Sequence, residues 1–321
     1  MSKETEKILK EIKKFMDSRE FESEEEANIA LQAFIEQYNE DLGIYDDKEP
    51  ETADDYFEMA CEAYDPKDAL RYAQKALELD KYHTDAEILI AEIQCGDELE
   101  KFKKKIEKIL QKAKKHLKEE GYFDEDCIGD FWEIFETRPY MRAKYEYIKL
   151  LVAAGKLKKA KEECEEMLRL NKNDNVGVRY TLMTIYAYFE DEFAALRLYK
   201  EFNDCSVYML LPLITLYYKA DSYKTAEKYL RLAMNEGFEA YFLTLGKEND
   251  FEDFDDEFDF DDYEDFDFDD FEDFDDETPF GGMFRKNSAE EVNHAFMEGM
   301  FLYVSTPGVI EWIQKKVIKG F

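Results

Sequence analysis

The sequence predicts an all-α chain, a curved solenoid of stacked helix pairs with an acidic insert near its end and a final pair of capping helices. Three observations lead there. Proline and glycine are scarce, with 6 and 13 in 321 residues, so few positions break a helix. Apolar residues recur at helical spacing in nearly every segment before residue 246. Small residues recur at an interval close to 34 residues: Ala194 follows Ala160 by 34, and Ala226 follows 32 later. A helix pair of that period cannot bury its apolar face alone, so neighbours must stack.

Taken in order, residues 3–16 place Ile8, Ile12 and Phe15 on one helical face. Ser23 with Glu26 forms a capping box ahead of a helix bearing Ala27, Ala30, Leu31, Phe34, Ile35 and Tyr38. Gly43 stops it and a loop runs through Pro50. Paired helices follow. The stretch 65–82, DPKDALRYAQKALELDKY, resembles the second helix of a tetratricopeptide repeat, with small Ala69 and Ala76 seven apart. Residues 84–120 read as an irregular pair whose second helix is long and lysine-rich. In 140–174, Gly155 turns between two helices and Ala160 is the small contact residue. Ala226 and Ala233 repeat the pattern. Ser288 with Glu291 caps a helix expected to run to about Val304, and Thr306–Pro307 begin another ending near Lys319. Their Phe296, Met300, Trp312 and Ile313 suit a lid over the last repeat. The expected divisions are an N-terminal helical segment at 1–49, repeats at 50–246, the insert at 247–284 and capping helices at 285–321.

The stretch FWEIFETRPYMRAKYEYIKLLVAAGKLKKAKEECEEMLRLNKNDNVGVRYTLMTIYA, residues 131–187, resembles bacterial tetratricopeptide-repeat proteins of the suppressor-of-tumorigenicity-like family. In that family an FW…ETRPYMRAR segment leads into a repeat ending MLRLNPNDNQGIRY. Here Lys144 replaces the second arginine, Lys172 the proline and Val176 the glutamine. A weaker likeness extends from about residue 50 to 246 and returns at STPGVIEW. The resemblance implies a repeat fold and an interaction function.

In such repeats, set positions on the first helix of each pair face inward. Counting back from the small alanines puts Arg142, Tyr145 and Lys149 on that face, and Arg138, one turn before Arg142, joins them. The same count also puts Arg179, Met183, Tyr186, Tyr208, Thr215, Tyr218 and Lys219 there. Every ionisable group in this set apart from tyrosine is basic. Guanidinium groups suit carboxylates through paired hydrogen bonds, so the face reads as a groove for an acidic or C-terminal peptide. The alternative is that Arg138 and Arg142 pair with acids of neighbouring helices and only fix the fold.

The net charge is −35, and residues 250–277 carry 19 of the acids, nine aromatics and no lysine or arginine. FEDFDDE occurs there twice, at 251–257 and 271–277. Such low-complexity sequence is expected to be disordered, since like charges oppose packing. Eight of the nine aromatics are phenylalanine, more than solubility alone requires. The arm is expected to bind a basic partner, or to compete for the groove in the same chain. No glycine interrupts the acids, so no calcium loop is read.

The acidic balance argues against direct binding of nucleic acid or anionic membranes. The amino end lacks the apolar core of a secretory signal, and the longest near-apolar run, 207–218, is too short to span a bilayer. Five cysteines, the closest 32 residues apart, read as reduced thiols in a cytoplasmic protein. His83, His116 and His294 are scattered, and no nucleotide-binding, hydrolase or metal motif occurs. The expectation is a non-enzymatic protein-binding adaptor without cofactor or metal. The runner-up is an acidic chaperone or nucleic-acid mimic that masks a basic protein through 250–277. Neither reading sets an oligomeric state.

Overall fold

The computed structural model describes residues 8–9, 12–16, 18–19, 21, 23–41, 50–243, 245 and 288–320, so the acidic run 250–277 lies outside the described residues. Among them the chain is helical with no β-strand, and two isolated bridges join Gly129 and Asp130 to Asn171. Two compact units emerge, one of residues 1–156 with 169–173 and the other of 157–168 with 174–321.

In the first unit, α1 is Glu24–Asp41, and Ser23 Oγ accepts from Glu26 N at 3.2 Å. Phe34 rests on Phe15 with ring centroids 4.6 Å apart. α2 (Ala53–Glu62) starts with a reciprocal cap: Asp55 N donates to Thr52 Oγ1 at 3.1 Å and Thr52 N to Asp55 Oδ2 at 2.9 Å. α3 (Pro66–Leu79) starts on Asp65, with proline at the first turn where no N–H is needed. Ala60, Ala73, Ala76 and Ala86 form the core joining α2, α3 and α4 (Thr84–Cys95), and their small side chains let the backbones close up. His83 caps α4: its Nδ1 accepts from Ala86 N at 3.1 Å while Nε2 sits 3.1 Å from Asp54 Oδ1. Those partners place the ring proton on Nε2. α5 (Leu99–Glu119) buries Ile106, Ile109, Leu110, Ala113 and Leu117. α6 (Arg138–Ala153) packs on both α4 and α5.

The connection into α6 is held by a feature the helical pattern does not announce. Gly129 N and Phe131 N both donate to Leu170 O at 3.0 Å, and Lys172 N returns a bond to Gly129 O at 2.9 Å. The FW and LRLNK segments thus meet as a short backbone clasp. Phe131 is fully buried against Phe123 and Tyr140, and Thr137 Oγ1 donates to its carbonyl. Gly129 has φ +113°, and a Cβ there would lie 2.9 Å from the Lys172 side chain. The lysine can swing aside but the backbone strain remains. Gly129→Ala is expected to cost about 1–3 kcal/mol, read as a lower urea midpoint for this unit.

In the second unit, α7 (Leu157–Leu170) contributes its residues up to 168. α8 (Val178–Tyr188) and α9 (Glu192–Phe202) pack together, as do α10 (Val207–Lys219) and α11 (Tyr223–Asn235). Ala160, Ala194 and Ala226 are all buried, as their period predicts. α10 is the central helix, buried from Val207 to Tyr217. Its apolar run therefore serves a core with neighbours on every side, and no helix of the described residues is long and apolar enough to cross a membrane. The short α12 (Glu239–Phe242) follows α11.

The closing segment departs from expectation twice. Instead of one helix to Val304, the chain breaks at Gly299 into α13 (Ala289–Glu298) and α14 (Met300–Val304). A Cβ at Gly299 would lie 2.6 Å from the Tyr303 ring, so this close approach requires glycine. Nor do these helices cover only the last pair. α13 packs on α10, α14 on both α8 and α10, and α15 (Val309–Lys319) on α12.

Candidate binding surfaces

The residues predicted to line one groove fall in both units. In the first, Arg138 is buried at 3% exposure. Its Nε donates to Trp132 O at 2.6 Å and its guanidinium lies over the Phe135 ring, 4.3 Å from the centroid. Arg142 forks onto Asp85, with Nη2 2.5 Å from Oδ2 and Nε 3.2 Å from Oδ1, which ties α6 to the first turn of α4. Lys149 pairs with Glu146 at 2.8 Å and lies 5.5 Å from the ring of half-buried Tyr145. Lys144, on the same helix, is 1% exposed.

In the second unit Arg179 belongs to a buried network. Asp174, at φ +51°, accepts from Val178 N at 2.9 Å and Arg179 N at 3.0 Å, so it caps α8. The same carboxylate takes Arg179 Nη1 at 3.0 Å. Arg179 Nη2 reaches Asp204 Oδ2 at 3.2 Å, Tyr180 donates its hydroxyl to that oxygen at 2.8 Å, and Ser206 N donates to Asp204 Oδ1 at 2.7 Å. The network ties the loop before α8 to the loop before α10. Burial pushes the Asp174 carboxyl up to about 6 against the pull of Arg179 and the two amides. At Asp204 burial pushes the same way, but the Ser206 amide, the Tyr180 hydroxyl and Arg179 outweigh it and hold the group below its usual value. Burial raises the Tyr180 phenol well beyond its ordinary range.

The other second-unit residues face elements of the same unit. Tyr186 donates to Glu165 at 2.9 Å. Tyr208 Oη sits 3.0 Å from His294 Nδ1 on α13, and burial lowers the His294 pKa. Tyr218 lies 5.5 Å from the Trp312 ring on α15 and 5.6 Å from Tyr223. Lys219 Nζ donates to Tyr188 O at 2.7 Å and pairs with Glu190 at 3.3 Å. Tyr188 in turn lies tilted against Phe301 of α14, with ring centroids 5.7 Å apart. In the second unit, Tyr208 and Tyr218 of that face are thus met by the chain's own closing helices, and Arg179 and Lys219 are engaged locally.

A basic surface lies elsewhere, on α5. That helix carries nine lysines against three glutamates. Lys101, Lys104, Lys108, Gln111, Lys115 and Lys118 are all exposed and recur at spacings of three and four, so they share the face opposite Ile106, Leu110 and Leu117. From Lys101 to Lys118 the stripe runs about 26 Å at 1.5 Å per residue. Glu98 meets Lys101 at 2.9 Å and Glu119 meets Lys115 at 3.7 Å. Lys104 lies within electrostatic reach of Glu100 one turn before it, and Lys108 forms no ion pair within 4 Å among the described residues. A shallow depression at the start of α5 is lined by Leu99, Lys101, Lys104, Lys105 and Lys108 together with the acids Asp97, Glu98 and Glu100, and Leu99 is 58% exposed there. The lysine richness was legible in the sequence. The single stripe needed the register of the buried positions.

Among the described residues, no cluster of histidine, cysteine, aspartate and glutamate could hold a metal ion. All five cysteines are free thiols. Against known proteins, the chain matches no family model and no curated protein.

Proposed function

We propose that this chain is a non-enzymatic helical-repeat adaptor of the tetratricopeptide kind, and that it binds an acidic peptide of a partner protein along α5. The observation that carries the reading is the lysine stripe: five exposed lysines in line on a chain of net charge −35. Lysine heads are compact, hydrated charges on flexible stems, so they tolerate varied carboxylate spacing. One exposed pair contributes only about 0–1 kcal/mol, so binding needs several pairs together with the apolar contact that Leu99 offers. Helix packing and the alanine period support the repeat assignment. The reading as a mimic that masks a basic protein rests on the 250–277 run alone.

The test is titration of the intact chain with a labelled glutamate-rich peptide, followed by fluorescence anisotropy at 0.15 M and 0.5 M salt. Lys104→Glu with Lys108→Glu and Lys115→Glu should weaken binding at least tenfold, and higher salt should weaken it in the parent chain. Equal affinity for parent and triple variant would remove α5 as the site.

A further inference from the structure

Building on the reading of α5 as an acidic-peptide site, we infer that its ligand is the 250–277 run of a second copy of this chain. The two surfaces are opposite in sign and similar in charge density, and the run is more than long enough to span the stripe. The stripe places five lysines along about 26 Å. About eight residues of extended chain span that distance. Every eight-residue window of 250–277 holds at least five acids, and the whole run contains no lysine or arginine to oppose the stripe. The interleaved phenylalanines meet an apolar margin, because Leu99 is exposed beside Lys101 and Phe102 is half-buried on the same turn.

A second copy also offers what other polyanions do not. Each chain carries one stripe and one acidic run, so two copies exchange them reciprocally and form the same contact twice. Nucleic acid or an anionic membrane would meet the net charge of −35 with no compensating second contact. Between copies, general repulsion fades beyond about 8 Å at physiological salt, whereas the stripe and the run act at contact.

The experiment uses three full-length backgrounds: the intact chain, a chain lacking 250–277, and the Lys104→Glu/Lys108→Glu/Lys115→Glu variant. Circular dichroism checks that each is folded. A second variant, Lys200→Glu/Lys224→Glu/Lys228→Glu, carries the same charge change on exposed lysines of α9 and α11. Sedimentation velocity over a concentration series should show self-association of the intact chain and of this second variant. The deletion and the α5 variant should each associate at least tenfold more weakly alone. Mixed together they should pair, because one retains the stripe and the other the run. A synthetic 250–277 peptide should bind the deletion chain and lose at least tenfold on an α5-reversed deletion chain.

If the intact chain stays monomeric throughout while the peptide binds α5, the second-copy inference is overturned and the acidic-peptide reading stands. The second copy is likewise excluded if a glutamate-rich peptide binds α5 and the 250–277 peptide does not. If neither peptide depends on the α5 lysines, both readings fail together.

Discussion

Phe131→Ala is expected to destabilise the first unit by about 3–5 kcal/mol, the usual cost of emptying a fully buried aromatic site. The loss goes beyond the transferred area. Phe131 packs on Phe123 and Tyr140, and its amide holds Leu170 O in the backbone clasp. With the ring gone, the segment that places Thr137 at the start of α6 loses its anchor. Phe131→Leu, which keeps most of the volume, should cost clearly less. Urea unfolding followed by tryptophan fluorescence is a direct readout, since Trp132 is the next residue. If both variants unfold at the parent midpoint, this aromatic core does not support the unit.

The second large effect is expected at Asp174. Asp174→Ala removes the acceptor for two helix amides and one partner of a buried guanidinium, a change of about 3 kcal/mol. Its pH dependence has a definite sign. Burial raises the folded pKa to about 6, above the ordinary 3.8. The stability this supplies is fully present below the ordinary value and is lost as pH rises through about 6. Lowering pH from 7.5 to 5 should therefore stabilise the second unit by about 1 kcal/mol through this group. Asp204 works the other way and in another window: its depressed pKa supplies stability at neutral pH that is lost only below the usual carboxylate range. Relief of the overall acidic repulsion also favours the fold as pH falls, so the parent alone does not isolate Asp174. Asp174→Asn does, since it cannot titrate. Thermal midpoints at pH 7.5 and 5 should rise less for Asp174→Asn than for the parent. Equal rises would exclude the Asp174 carboxyl as the source.

The helices were legible in the sequence because their signals are local. Ser23 and Ser288 accept from Glu26 and Glu291 as the capping pattern implies. The alanine period placed the buried contact residues. What escaped depends on partners far apart in the chain. The clasp of Gly129 with Asn171 and Lys172 leaves no periodic trace, and Asp174 reads as an ordinary loop acid until its place at the start of α8 is known. The groove residues were chosen by register, which identifies a face but not what covers it. Tyr208 meets His294 across 86 residues, and no local pattern encodes that contact. Charge alone does not tell a binding cation from a structural one: in a chain this rich in acids, a helix-borne arginine such as Arg142 finds a carboxylate such as Asp85 within the fold.

The packing of α13 and α14 against α8 and α10 also sets an order of events during synthesis. The first unit has all its residues once position 173 has been made. The second does not, because the partners of Tyr188 and Tyr208 on α8 and α10 arrive only with residues 288–320. At roughly 5–20 residues per second, translation from 173 to 320 takes on the order of 10 s. From position 219 onward the apolar α10 is already made, while the stretch still being added includes 19 acids. A chain terminated before residue 288 would leave that face without its cover and present an apolar surface to solvent, with aggregation of the nascent product as the consequence.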